Sequence, residues 1–140
     1  MKYAYIIGPY GADPTLNRSE KNNTLVAEHL AKKAYAEGFT PFVPHSMIFS
    51  GIFGSDSDPL CRKKGERATL SLLAMFMKQP NVELWVIADY IYNSWIFSPG
   101  TQKELQLWKK KRGNKDIRYF LYYHLDQERK INNAENMAHQ

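Results

Sequence analysis

A single cysteine, Cys61, in 140 residues excludes an intramolecular disulfide and any cysteine-based zinc cage, and suits a reducing compartment. No two histidines stand at metal-ligand spacing, so His45 reads first as a packed, hydrogen-bonded residue and no metal is expected. Gly8-Pro9-Tyr10-Gly11 does not satisfy the Gly-x-Gly-x-x-Gly dinucleotide fingerprint, and no Gly-x-x-x-x-Gly-Lys phosphate loop occurs. Nicotinamide cofactors and ATP hydrolysis are therefore disfavoured, and no cofactor is expected. Long hydrophobic runs are also lacking. The opening stretch, Met1 to Gly8, is broken by Lys2 and ended by Gly8 and Pro9, too short for a signal peptide or a membrane span. The expectation is a soluble cytoplasmic protein without repeats or low-complexity segments.

What the chain does have is enough apolar material, 44% of its residues, for one core, and a length that suits one domain. Lys and Arg outnumber Asp and Glu by 19 to 14, a formal charge of +5 that favours an anionic ligand. Part of this excess sits in Lys109, Lys110, Lys111 and Arg112. That run reads first as the cationic last turn of a helix and second as a nucleic-acid patch, so nucleic acid is not an expected partner.

Tyr3 to Ile7 is a continuous apolar run ended by Gly8 and Pro9, as expected of a strand buried on both faces. A helix follows from about Asn17 to Glu37, with Ala27, Leu30, Ala31 and Ala34 on one face and Gly38 as its stop. Phe39 to Pro44 forms a second strand, and Pro41 places it at a sheet edge. Ser46 to Pro59 mixes turn residues with Ile48, Phe49, Ile52 and Phe53, the composition of a flap. Leu60 to Lys78 is helical, Val82 to Ala88 a third strand, Thr101 to Arg112 a helix and Ile117 to Tyr123 a fourth strand. The alternation predicts an α/β fold: a Rossmann-like open parallel sheet of four or five strands in flavodoxin-like order 2-1-3-4, with helices on both faces. Residues 1–124 make the domain, and residues 125–140 an outer helix or tail.

In such a sheet the ligand crevice lies beyond the carboxyl ends of the strands. Gly8 to Gly11, Pro44-His45-Ser46, the stretch after Ala88 and the flap converge there. Glu104, placed by these bounds in the first turn of its helix, shares a side with Thr101 and Trp108 and borders the apolar stripe of Leu105. A carboxylate there either complements the helix dipole or serves a site. Tyr5, on a central strand, is core by default, its hydroxyl needing one buried partner.

Tyr5-Ile6-Ile7-Gly8-Pro9-Tyr10, then Asn23 and Ala27, Gly38-x-x-Pro41-x-x-Pro44-His45, Glu83-Leu84-Trp85-Val86 and Ser98-x-Gly100-x-x-x-Glu104 follow one another in order. Over about residues 3 to 120 this pattern resembles the nucleoside 2-deoxyribosyltransferase-like superfamily, most closely its small bacterial and phage branch. The resemblance implies a fold that binds a nucleoside or nucleotide and cleaves or exchanges its N-glycosidic bond. Glu104 would be the nucleophile on the anomeric carbon, as in a retaining glycosidase, and Tyr5 would orient it by hydrogen bonding. Gly8, Pro9, Tyr10, Asn23 and His45 would line the substrate site. The resemblance places Ser98 where free-nucleoside transferases tend to carry an aspartate and monophosphate hydrolases a serine. Ser98, with Gly100 and Thr101, would then hold a 5′-phosphate.

Two acidic positions of the pattern are filled otherwise here. The helix before strand three is apolar where catalytic members carry an aspartate, with Glu66 lying earlier, and Val82 replaces an acidic residue. Two readings therefore stand: an N-glycosidase or deoxyribosyltransferase acting on a nucleoside 5′-monophosphate, and a non-catalytic nucleotide sensor or sequestering protein of the same fold. The apolar run Trp95-Ile96-Phe97 adds the expectation of a homo-oligomer.

Overall fold

Alternation along the first strand assigns its residues to two separate cores. In β1 (Lys2–Ile7), Ala4 and Ile6 enter one apolar cluster while Tyr5 and Ile7 enter another, so the strand is covered on both faces. The computed structural model describes residues 1–45 and 58–138. Of the flap expected over Ser46 to Pro59, only Asp58 and Pro59 fall within them.

The next strand, β2 (Phe39–Phe42), pairs among the described residues only with β1, which is where Pro41 can sit without disrupting a central ladder. On its other side β1 pairs in parallel with β3 (Val82–Ile91), and β3 with β5 (Ile117–Leu121). The parallel order is thus β2-β1-β3-β5, the order expected from the sequence, with β5 as the fourth of the predicted strands. The fifth strand is antiparallel, where the expectation was an all-parallel sheet: β4 (Ser94–Ile96) folds back on the end of β3, pairing Asp89 with Ile96 and Ile91 with Ser94. Its two-residue turn is Tyr92-Asn93, both at positive φ.

Helices cover the two faces in pairs. The first core holds Val26, Leu30 and Ala34 of α1 (Glu20–Ala36) and Leu125 of α4 (Tyr122–Ala138), packed on Trp85 and Ile87 of β3. The second holds Leu73 of α2 (Pro59–Phe76) and Leu105 and Trp108 of α3 (Pro99–Arg112), packed on Leu84 and Val86. The C-terminal segment is therefore a helix, starting at Tyr122 rather than 125, with Tyr122 and Leu125 in the core. Caps set the other starts. Ser19 Oγ accepts from Asn22 N–H at 3.0 Å, Asp58 from Leu60 N–H at 2.9 Å, and Ser98 from Thr101 N–H at 3.4 Å. With Ser98 as cap and Pro99 behind it, α3 begins two residues before the expected Thr101, so Glu104 lies in its second turn and not its first.

Gly8 ends β1 for a packing reason. A Cβ there would stand 2.8 Å from Cβ of Ile87, an atom that no rotamer change can move. Gly8→Ala is expected to lower unfolding free energy by roughly 1–3 kcal/mol in urea titrations. An unchanged midpoint would show that the strands part freely at this point.

Candidate functional site

Beyond the carboxyl ends of β1 and β3 lies a cleft of about 620 Å³, a size that suits a nucleotide. Its walls bring together the turn Gly8 to Gly11, Asn23 of α1, His45, the first turns of α2, and Ser98, Gly100, Thr101 and Glu104 at the start of α3. Every residue proposed from the sequence as substrate-binding is on this lining. Tyr5 is not: it is fully buried beneath it.

Glu104 has the least ordinary environment. Its Oε2 is buried and has no hydrogen-bond partner among the described residues. Burial pushes the carboxyl up to about 8, with the nearby Glu66 adding to the effect. At neutral pH this burial holds Glu104 mainly as the acid. Glu66, on α2 in the same lining, is held by Lys103 Nζ at 3.1 Å. The helix expected to lack a second acid does place one beside Glu104, by way of a residue about two turns into α2.

The expected hydrogen bond from Tyr5 to Glu104 is replaced by another. The Tyr5 hydroxyl donates to the carbonyl of Thr69 at 3.1 Å, and burial, followed by the charge of Glu104, drives it above its ordinary range. Tyr5 pins α2 to β1 and lies close to Glu104 without holding it. Asn23 is likewise spent on architecture. Its amide N–H groups donate to Tyr10 and Gly11 carbonyls at 2.9 and 3.1 Å, and its oxygen accepts from Tyr122 at 2.7 Å. It shapes the turn that a ligand would meet.

His45 is buried, and its Nε2 donates to the Pro9 carbonyl at 2.9 Å. Burial lowers its proton affinity, outweighing the backbone hydrogen bonds, so the ring is neutral and Nδ1 is an acceptor. Nδ1 has no partner among the described residues. Ser98 Oγ is shared between the N–H and the hydroxyl of Thr101, the latter at 2.7 Å.

Two residues were missed. Arg18 grips Asp89 at the end of β3 through two hydrogen bonds of 2.7 and 2.8 Å and stacks over the Tyr122 ring at 3.6 Å, and both charged groups line the cleft. With Arg18 committed to Asp89, the lining sets Arg62 against Asp13, Glu20 and Glu66. The chain's positive excess is therefore not concentrated in the cleft, and the net charge of +5 is no sign of an anion held there.

Residues 2–120 match the family described as Domain of unknown function (DUF7768). The chain belongs to this family. Among curated proteins none matches the chain, and among solved structures none does. The DUF7768 match takes in β1 through most of β5 and so contains every residue of the cleft lining. Within this DUF7768 chain, no helix of the described residues is long and apolar enough to cross a membrane.

Proposed function

We propose that this DUF7768 protein cleaves or exchanges the N-glycosidic bond of a nucleoside 5′-monophosphate, with Glu104 as nucleophile. The observation that carries the reading is the unpartnered, buried carboxyl oxygen of Glu104 in a nucleotide-sized cleft at the carboxyl ends of the strands. Leaving a carboxyl without a partner costs the fold free energy, and a site that uses it offsets that cost through function. Once ionised, Glu104 attacks the anomeric carbon, the bond to the base breaks, and water or a second base resolves the sugar ester. Glu66 supplies the second carboxyl that this chemistry uses.

The phosphate would sit at the opening of α3, with Ser98, Gly100 and Thr101, on a lining that also holds Arg62. Monophosphates are then expected to bind roughly tenfold or more tightly than the matched nucleosides, a preference that fades as salt rises. Ser98→Asp keeps a capping oxygen and sets like charges against each other. It should reverse the preference in calorimetric titrations while leaving nucleoside affinity nearly unchanged. Equal wild-type affinities would move the reading to free nucleosides.

A second reading rests on the raised proton affinity of Glu104. A carboxyl kept protonated at neutral pH is a hydrogen-bond donor rather than a nucleophile, which suits a sensor or sequestering protein. Incubation with a panel of nucleotides at pH 7 and 9, with free bases separated by chromatography, decides between them. The enzyme releases base faster at the higher pH; the binding protein releases none at either.

Oligomerisation belongs to this proposal too. Trp95 stacks on Tyr119 within the chain at 5.4 Å, yet Tyr90, Ile91, Tyr92 and Ile96 of the hairpin remain exposed. A dimer or larger assembly covering this hairpin is the expected result of light scattering. A monomer at high concentration would remove it.

A further inference from the structure

The formal charge of +5 is not spread over the molecule. On α2, Arg62, Lys63, Lys64 and Arg67 stand against a single acid, Glu66. On α3, Lys103 and the run Lys109 to Arg112 stand against Glu104 alone. Both acids line the cleft, so the remaining charges within these two helices are all positive. The opposite layer mixes signs, and there Lys33 is paired with Glu128, and Arg129 and Lys130 with Asp126.

The two basic helices are neighbours and are tied at both ends. Lys103 bridges to Glu66 at 3.1 Å near the cleft, and Arg112 donates to the Gln79 carbonyl at 3.3 Å at the far end. Lys63, Lys64, Arg67, Lys110 and Lys111 are exposed. None of these five has an ion pair among the described residues. The cations of α2 all fall between Arg62 and Arg67, and those of α3 between Lys103 and Arg112, a stretch of roughly 15 Å along that helix and the scale of a short segment of duplex.

We infer that the outer face of α2 and α3 docks on the phosphate backbone of nucleic acid. Two groups of cations unpaired among the described residues, Lys63, Lys64 and Arg67 on α2 and Lys110 and Lys111 at the end of α3, complement the negative charge of a duplex, and counterion release supplies the affinity. Among the described residues, α2 and α3 expose no aromatic ring, Leu60 and Met75 being their exposed large apolar groups. Stacking on bases is therefore not offered, and the contact is independent of sequence. This docking is separate from the reading of the cleft.

The test is fluorescence anisotropy of a labelled duplex of arbitrary sequence, titrated with the full chain between about 50 and about 200 mM salt. Wild type should bind in the micromolar range, with affinity falling steeply as salt rises. Lys63→Glu with Arg67→Glu should weaken binding roughly tenfold or more and reduce the salt slope by about two or more. Lys21→Glu with Lys32→Glu changes the net charge equally, on the opposite layer, and should leave binding within about twofold. Equal loss in both pairs would reduce the effect to net charge and overturn the proposal. So would absence of duplex binding, including the case in which the chain binds phosphatidylserine vesicles instead. The cleft is read independently: Glu104→Gln should bind duplex normally, and the Lys63 and Arg67 pair should leave base release from free nucleotides unchanged.

Discussion

Glu104→Gln is expected to abolish base release, by roughly a thousandfold or more, while nucleotide affinity stays within a few fold of wild type. Glutamine keeps the size of the side chain and removes the oxygen nucleophile, so the loss falls on the chemical step and not on binding. A thousandfold corresponds to about 4 kcal/mol of transition-state stabilisation, within the usual reach of a covalent nucleophile. Single-turnover base release and calorimetric titration, run on both proteins, separate the two effects. A variant that retains turnover would assign the chemistry to another group, and Glu66 would be the next to replace.

The same substitution is expected to make the protein more stable than wild type at high pH. Folding raises the Glu104 carboxyl from an ordinary 4.5 to about 8, so the folded state holds a proton that the unfolded chain releases. The stability linked to that proton is fully present below about pH 4.5 and is lost as pH rises through about 8. Glutamine cannot titrate. The advantage of Glu104→Gln over wild type should therefore grow by about 1.4 kcal/mol per pH unit between those limits and level off above them. Urea midpoints at pH 5, 7 and 9 measure it. A constant difference across that range would mean that the cleft hydrates Glu104 well enough to leave it an ordinary carboxylate.

The parallel sheet was legible because its strands are unmistakable at the level of residues. Tyr3 to Ile7 and Val82 to Ala88 are apolar on both faces, and Pro41 marks the edge. The hairpin of β4 was not legible, since Tyr92-Asn93 lacks the glycine that advertises a two-residue turn at positive φ. The start of α3 moved because Ser98 and Pro99 act as cap and first residue, while the expected boundary fell on the first residue after the glycine.

The site was half legible. Its backbone frame, from Gly8 to Gly11 and from Ser98 to Thr101, follows from where parallel strands end. The Arg18–Asp89 pair joins residues 71 apart in the chain, each an isolated charge without local pattern, so nothing short of the fold could join them. Tyr5 and Asn23 sit where expected but bond elsewhere, because hydrogen-bond partners depend on side-chain directions across helices. Thr69 of α2 takes the hydroxyl of Tyr5, and the carbonyls of Tyr10 and Gly11 take the amide of Asn23. Glu66 reached the cleft because its turn of α2 lies beside α3, a proximity that the spacing to strand three does not reveal.

The central claim is a covalent bond between Glu104 and the sugar, and intact-protein mass spectrometry tests it directly. Wild type mixed with a 2-deoxyribonucleoside 5′-monophosphate at pH 8 and quenched in acid during turnover should gain the mass of one deoxyribose phosphate less water, located by peptide mapping to the segment holding Glu104. Glu104→Gln should gain nothing. Base release by wild type with no adduct at any quench time, or an adduct on a different residue, would contradict the account.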